Sequence, residues 1–168
     1  MKPNELPKYD MNDNPTGCCP RFVPGPWDNL EVTFKDKLFV KGKTVSLFHI
    51  PLNMGGMMTK TMKMIKDAGA LSGNFLLLSH DPSPWTGEHL FAVDKEIPGA
   101  EMIRLSGTYL TKVFEGPFKD ASKWMVQMQE HVAGKKKTTS KVYFFYTTCP
   151  KCMKHYGKNY VVGFAQVS

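Results

Sequence analysis

The chain carries a diverged internal repeat of strand, helix, strand, strand, and no other feature constrains its fold so strongly. "VSLFHIPLNMGGMMTKTMKMI" corresponds to "YLTKVFEGPFKDASKWMVQM", and "NFLLLSHDPSPWTGEHLFAVDKE" to "KVYFFYTTCPKCMKHYGKNYVVGFAQV". In each copy a period-2 run precedes a period-3.6 run, and two more period-2 runs follow. The first helix is expected from Asn53 as N-cap, with Met54, Met58, Met62 and Ile65 along one face, to a stop at Gly69. The second follows Pro117, with Phe118, Ala121, Met125, Met128 and Val132 as its apolar stripe and Gly134 at its end. Neither copy has strands enough to cover both faces of its helix. The expected fold is α+β, one antiparallel-rich sheet with two helices on one face and a ligand cleft on the other.

Before the repeat stand Pro3, Pro7, Pro15, Pro20, Pro24 and Pro26. Such a segment forms neither helix nor central strand. Residues 1–28 are therefore read as an arm, and Tyr9, Cys18, Cys19, Phe22 and Trp27 give it reason to pack down. Residues 29–168 are read as one domain of two pseudo-repeats, about 29–98 and 101–168. Within the first, Leu30, Val32 and Phe34 alternate as a strand, Lys35–Asp36–Lys37 is read as a turn, and residues 43–50 as a second strand.

The arm opens polar, without the apolar core of a signal peptide, and no apolar run approaches the ~20 residues of a membrane helix. The expected location is the cytoplasm, with no membrane partner. There the four cysteines read as thiols or a metal site rather than a disulfide frame. A formal net charge of +7 raises nucleic acid as a partner, but the lysines are scattered. Their one cluster, residues 134–137, follows a helix end, where cations suit the dipole. Nucleic acid is not the expected partner, and no specific protein partner is indicated. No phosphate-binding glycine loop, nucleophile elbow or paired metal-binding histidines occur, so no nucleotide or organic cofactor is expected.

Cys149-Pro150-Lys151-Cys152 lies between two strand runs where the first copy has Asp81-Pro82. A Cys-Pro-x-Cys turn aims two thiolates at one point, as in a zinc knuckle. Zinc prefers four ligands, and Cys18 and Cys19 would complete the set with Cys149 and Cys152, stapling the arm to the last hairpin. His155 is an alternative ligand. Against this stands the reading of four unrelated buried thiols. Redox chemistry ranks behind both, because such a pair is activated by opening a helix and this one is read as lying between strands.

"IRLSGTYLTKVFEGPFKDASKWMVQMQEHV" resembles the gyrase-inhibitor-like (GyrI-like) small-molecule-binding family, and within it a bacterial hydrolase branch. That family places a Gly-x-Tyr strand before a His-x-Gly-Pro-Tyr turn and a helix bearing tryptophan. Gly107, Tyr109, Gly116, Pro117 and Trp124 occupy those places, with Phe118 where tyrosine is usual. The resemblance implies an aromatic-lined cleft that takes lipophilic, often cationic compounds, and in some members hydrolysis of reactive electrophiles. Candidate cleft residues are Trp27, Trp85, Tyr109, Phe118, Trp124, Tyr143 and Phe145. Tyr143 and Phe145 share one strand face and Phe144 and Tyr146 the other; the sequence does not select between them. The family's glutamate on the strand after the second helix has no counterpart in "KVYFFYTT". Glu115, beside the second helix start, is the candidate catalytic carboxylate, the plainer alternative being a partner for the helix dipole. The expected function is binding of a small lipophilic or aromatic molecule, with hydrolysis as an enzyme's version. The alternative is a non-catalytic binding or sequestering module with structural zinc.

Overall fold

A computed structural model describes residues 1–168. In chain order the elements are β1 (Glu31–Leu47), β2 (Ile50–Pro51), α1 (Met54–Asp67), β3 (Leu77–Ser83), β4 (Thr86–Ala92), β5 (Met102–Glu115), α2 (Ala121–Gly134), β6 (Thr139–Tyr146), α3 (Pro150–Tyr156) and β7 (Tyr160–Val167). The fold is α+β with antiparallel strand pairing, as the repeat implies. No helix is long and apolar enough to cross a membrane. The chain forms two compact units, one of residues 35–106 and the other of residues 1–34 with 107–168, so the boundaries fall inside β1 and β5.

Three elements differ from the sequence expectation. Lys35–Asp36–Lys37 is not a turn, because β1 runs unbroken through it. Asp36 does take the left-handed backbone a turn would use (φ 49°), but Ser106 Oγ accepts its N–H at 2.9 Å. Asn53 does not cap α1 with its side chain; its Oδ1 accepts the Val45 N–H at 2.9 Å instead. And the cysteine segment is a helix, α3, rather than a turn.

In the unit of residues 35–106 the strand order is β2-β1-β4-β3. α1 covers one face, burying Met57, Thr61 and Ile65, while Met54, Met58 and Met62 are half-buried. The helix approaches so closely at Gly42 that a Cβ there would lie 2.5 Å from Met57 Sδ. Beneath it His89 is buried with both ring nitrogens engaged, Nδ1 with Ser79 Oγ at 2.8 Å and Nε2 with Thr44 Oγ1 at 3.0 Å. Burial depresses the His89 pKa, outweighing the pull of Asp81 and Glu88 in the other direction.

In the other unit the order is β6-β7-β5. The α2 face is a conventional apolar core of Leu110, Phe114, Trp124, Met128, Val132, Val142, Phe144, Val161 and Ala165. Side chains alternate along a strand, so Tyr143 and Phe145 face the opposite way. That second face is covered by the arm. Phe145 packs against Tyr9, Phe22 and Trp27 with ring centroids 6.1, 6.3 and 5.6 Å away. All four of these rings are buried. The arm's only regular structure is a short 3-10 turn at Gly25–Trp27, so it is held by these side chains and by isolated bonds such as the Asn4 N–H to the Thr33 carbonyl at 2.8 Å.

Candidate functional site

α3 forms for reasons visible in its ends. Cys149, extended (φ −78°, ψ 165°), precedes Pro150, whose missing N–H costs nothing in the first turn. Gly157 closes the helix in the left-handed region (φ 68°), which glycine tolerates best. The Cys-x-x-Cys pair thus opens a helix after all, and the ground for ranking redox chemistry last is removed. What now separates the readings is the number of thiols that meet.

All four meet. The sulfurs of Cys18, Cys19, Cys149 and Cys152 lie within 4.8 Å of one another, and none is in a disulfide. Cys18 Sγ is 3.7 Å from Cys19 Sγ and 3.9 Å from Cys149 Sγ. Four sulfurs bound about 2.3 Å from one tetrahedral zinc would sit about 3.8 Å apart. The neighbouring thiols of Cys18 and Cys19 converge because Thr16 folds the arm beneath them, its Oγ1 accepting both backbone N–H groups at 3.3 and 3.2 Å. The Cys149 N–H donates to Cys19 Sγ at 3.3 Å, and Cys152 Sγ lies 3.4 Å from Thr16 Oγ1. Tyr156 donates its hydroxyl to the Cys19 carbonyl at 2.6 Å, tying the end of α3 to the arm. These residues can hold a metal ion. His155 is exposed and is not among the converging groups.

The thiols are electrostatically unequal. Burial pushes Cys152 up, but Thr16, Cys149 and Cys19 outweigh it by hydrogen bonding and bring its pKa to about 7. Cys19 is pushed far up by burial, although the Cys149 N–H opposes this. For Cys18 the bond to Cys19 lowers the pKa, and burial with Cys149 and Cys152 reverses this to a net rise. Cys152 is thus the thiol drawn towards the thiolate near neutrality, while Cys18 and Cys19 are held towards the protonated form.

The far end of α3 walls a second feature. An open cavity of about 340 Å³ is lined by Glu115, Gly116, Pro117, Met153, Gly157, Lys158 and Asn159. Glu115 ends β5, and its carboxylate is exposed. Asn159 fixes the rim: its Nδ2 donates to the Gly116 carbonyl at 2.8 Å and its Oδ1 accepts from Thr148 at 2.8 Å. Gly116 adopts φ 149°, a conformation L side chains rarely take.

The seven candidate aromatics do not share one surface. Trp27, Tyr109, Tyr143 and Phe145 are buried on the arm side of β6-β7-β5. Trp124 is buried on the other side, stacked on Phe114 at 5.8 Å. Phe118 is half-buried against Tyr146, and Trp85 is exposed beside Phe48. Sequence reasoning missed Thr16, Tyr156 and Asn159. Only the flanking pair Pro150 and Gly157, spaced for a short helix, offered a signal for where the last two would be placed.

A family profile described as bacterial hydrolase matches residues 9–167. No curated protein matches the chain. Similar solved structures include an uncharacterized conserved protein from Listeria innocua, 8% identical with TM-score 0.61 over 84% of this chain and 93% of that one. A hydrolase from Listeria innocua is 12% identical, with TM-score 0.57 over 84% and 92%. A protein solved bound to tetraphenylphosphonium is 13% identical, with TM-score 0.52 over 84% and 94%. At such identities these structures share the fold with this chain and nothing more. The profile match takes in the arm from Tyr9 through both copies of the repeat, and on that breadth the chain belongs to the bacterial hydrolase family.

Proposed function

We propose that this chain binds a small lipophilic or aromatic molecule and hydrolyses it, with Glu115 as the general base. The observation that carries this reading is the placement of Glu115 on the cavity walled by α3, in a chain of the bacterial hydrolase family. The carboxylate takes a proton from water as its oxygen attacks the electrophile, then returns it to the leaving group. Lys158, on the same cavity, offers positive charge to a developing oxyanion. Pro117 and Met153 supply apolar contact for the substrate. The ligand class is supported by the gyrase-inhibitor-like motif at Gly107, Tyr109, Gly116, Pro117 and Trp124, and by the tetraphenylphosphonium in a protein of the same fold.

Zinc belongs to the same reading. Four converging cysteine sulfurs suit zinc better than harder cations. With every position taken by sulfur its role is structural: it pins the arm to α3, and α3 to the cavity.

A non-catalytic binding module is the second reading, favoured by the absence of any acid from β6. A panel of activated aryl electrophiles, run beside tetraphenylphosphonium binding, separates the two. Hydrolysis by the wild type and a loss of about 10²–10⁴-fold in Glu115→Gln, with unchanged melting, is the expected result. Binding with no turnover of any electrophile supports the module, and turnover unchanged in Glu115→Gln removes that residue from the mechanism.

A further inference from the structure

The four sulfurs differ in what surrounds them, and this difference bears on their chemistry. Cys19 Sγ takes the Cys149 N–H, and Cys152 Sγ sits against Thr16 Oγ1 at 3.4 Å. An N–H donor withdraws charge from the sulfur that accepts it and lowers its nucleophilicity, and packing against Thr16 restricts the approach to Cys152. Cys18 and Cys149 have only other cysteine sulfurs as side-chain neighbours in the cluster. Of these two, Cys149 is half-buried and Cys18 is exposed. Cys152 is buried and Cys19 half-buried, so both are also shielded from a solvent-borne reagent.

Loading the site converts all four thiols to thiolates, because the metal displaces their protons. A zinc tetrathiolate carries two net negative charges, shared unequally. The sulfur with no N–H or O–H donor and with a face open to solvent keeps the most reactive lone pair.

From this we infer that Cys18 is a covalent modification site: in the zinc-loaded protein its thiolate is the sulfur that soft alkylating electrophiles attack. The step is a displacement. The Cys18 sulfur lone pair forms a bond to the electrophilic carbon, the carbon–leaving-group bond breaks, and the leaving group departs as an anion with the bonding pair. No oxidant or reductant is needed. The product thioether is neutral, so the site loses one unit of negative charge and holds its metal by three thiolates and a weak donor. The inference rests on the zinc reading, and it makes the arm's clamp a place where an electrophile is recorded as a covalent mark.

The test uses iodoacetamide at less than one equivalent on the untagged, full-length protein as purified. Metal content is measured on the same sample, and peptide mass mapping follows the four cysteines over time. Zinc present, with Cys18 carbamidomethylated at least about tenfold faster than the other three, is the expected result. The Cys18→Ser variant, in which one ligand is lost but Cys19, Cys149 and Cys152 remain, is expected to lose the fast phase. Zinc present with Cys149, Cys152 or Cys19 modified first or equally fast overturns this inference and leaves the zinc site standing. Zinc present with no cysteine modified until a chelator is added overturns it as well. No metal in the protein overturns the zinc reading and this inference together.

Discussion

Single residues set the two candidate sites, and their chemistry was legible to different degrees. The four cysteines were readable from residue type and spacing, Cys18 and Cys19 as thiols in a proline-rich arm and Cys149 and Cys152 as a Cys-Pro-x-Cys pair. Glu115 lines the cavity, and its place beside a helix start is what singled it out in the sequence. Thr16 and Asn159 were not readable, since nothing in a serine-, threonine- or asparagine-bearing loop says which hydroxyl or amide will order the backbone. Gly116 tests the cavity rim directly. A Cβ there would meet Trp124 and Asp120 at 3.5 and 3.4 Å in a left-handed conformation, so Gly116→Ala is expected to cost about 1–3 kcal/mol, read as a lowered urea midpoint. An unchanged midpoint would mean that the rim relaxes freely. His89 makes a pH prediction. The fold holds it neutral below the pH at which the unfolded chain takes a proton, near 6.5. The unfolded chain therefore binds more protons as pH falls, and stability is full above about 6.5 and declines below it. His131, also depressed by burial and by Lys112 and Lys135, adds in the same direction. Urea midpoints at pH 7.5 and 5.5 should differ, the lower pH being the weaker, with buried His89 contributing more than the largely solvent-screened His131. A flat profile would contradict it.

At the scale of elements, the repeat made α1, α2 and most strands legible because their periods differ and their ends carry glycine or proline. The failures share a cause. Lys35–Asp36–Lys37 has the composition of a turn and one residue with turn-like φ, yet β1 continues because its exposed strand edge finds partners such as Ser106. The α3 segment has seven residues, too short for periodicity to register, and its Cys-Pro start mimics a hairpin turn. The sheet face occupied by the arm was undecidable from β6 alone, since Phe144 with Tyr146 and Tyr143 with Phe145 alternate symmetrically. Trp27 and Phe22 settle on the Tyr143–Phe145 side because α2 fills the other. The arm is the element whose fate depends on the thiol site. Its exposed basic residue Arg21 pairs with Asp13 at 3.3 Å and lies over the Tyr156 ring at 5.1 Å. A zinc chelator is expected to speed tryptic cleavage after Lys8 and Arg21 by at least about tenfold, the change that a 1.4 kcal/mol shift in arm opening produces. Cleavage at an unchanged rate would show that aromatic burial alone holds the arm.

For the whole molecule, the class was legible and the site only in part. The strand–helix–strand–strand order, twice over, dictates an α+β fold; the boundaries of the two compact units cut through β1 and β5 rather than falling between the copies. The unit of residues 35–106 is built around one helix and a buried polar network at His89; the other uses the arm to cover a second sheet face and brings the arm's two thiols against those of α3. On the zinc proposal the metal would have a thermodynamic role, because a ligand that binds only the folded state stabilises it by mass action. The measurement that tests this most directly is the zinc content per chain of untagged protein purified without added metal, beside the Cys149→Ser/Cys152→Ser double variant. The account predicts about one zinc per chain in the wild type and none in the variant. No metal in the wild type, with four freely titratable thiols, would contradict it.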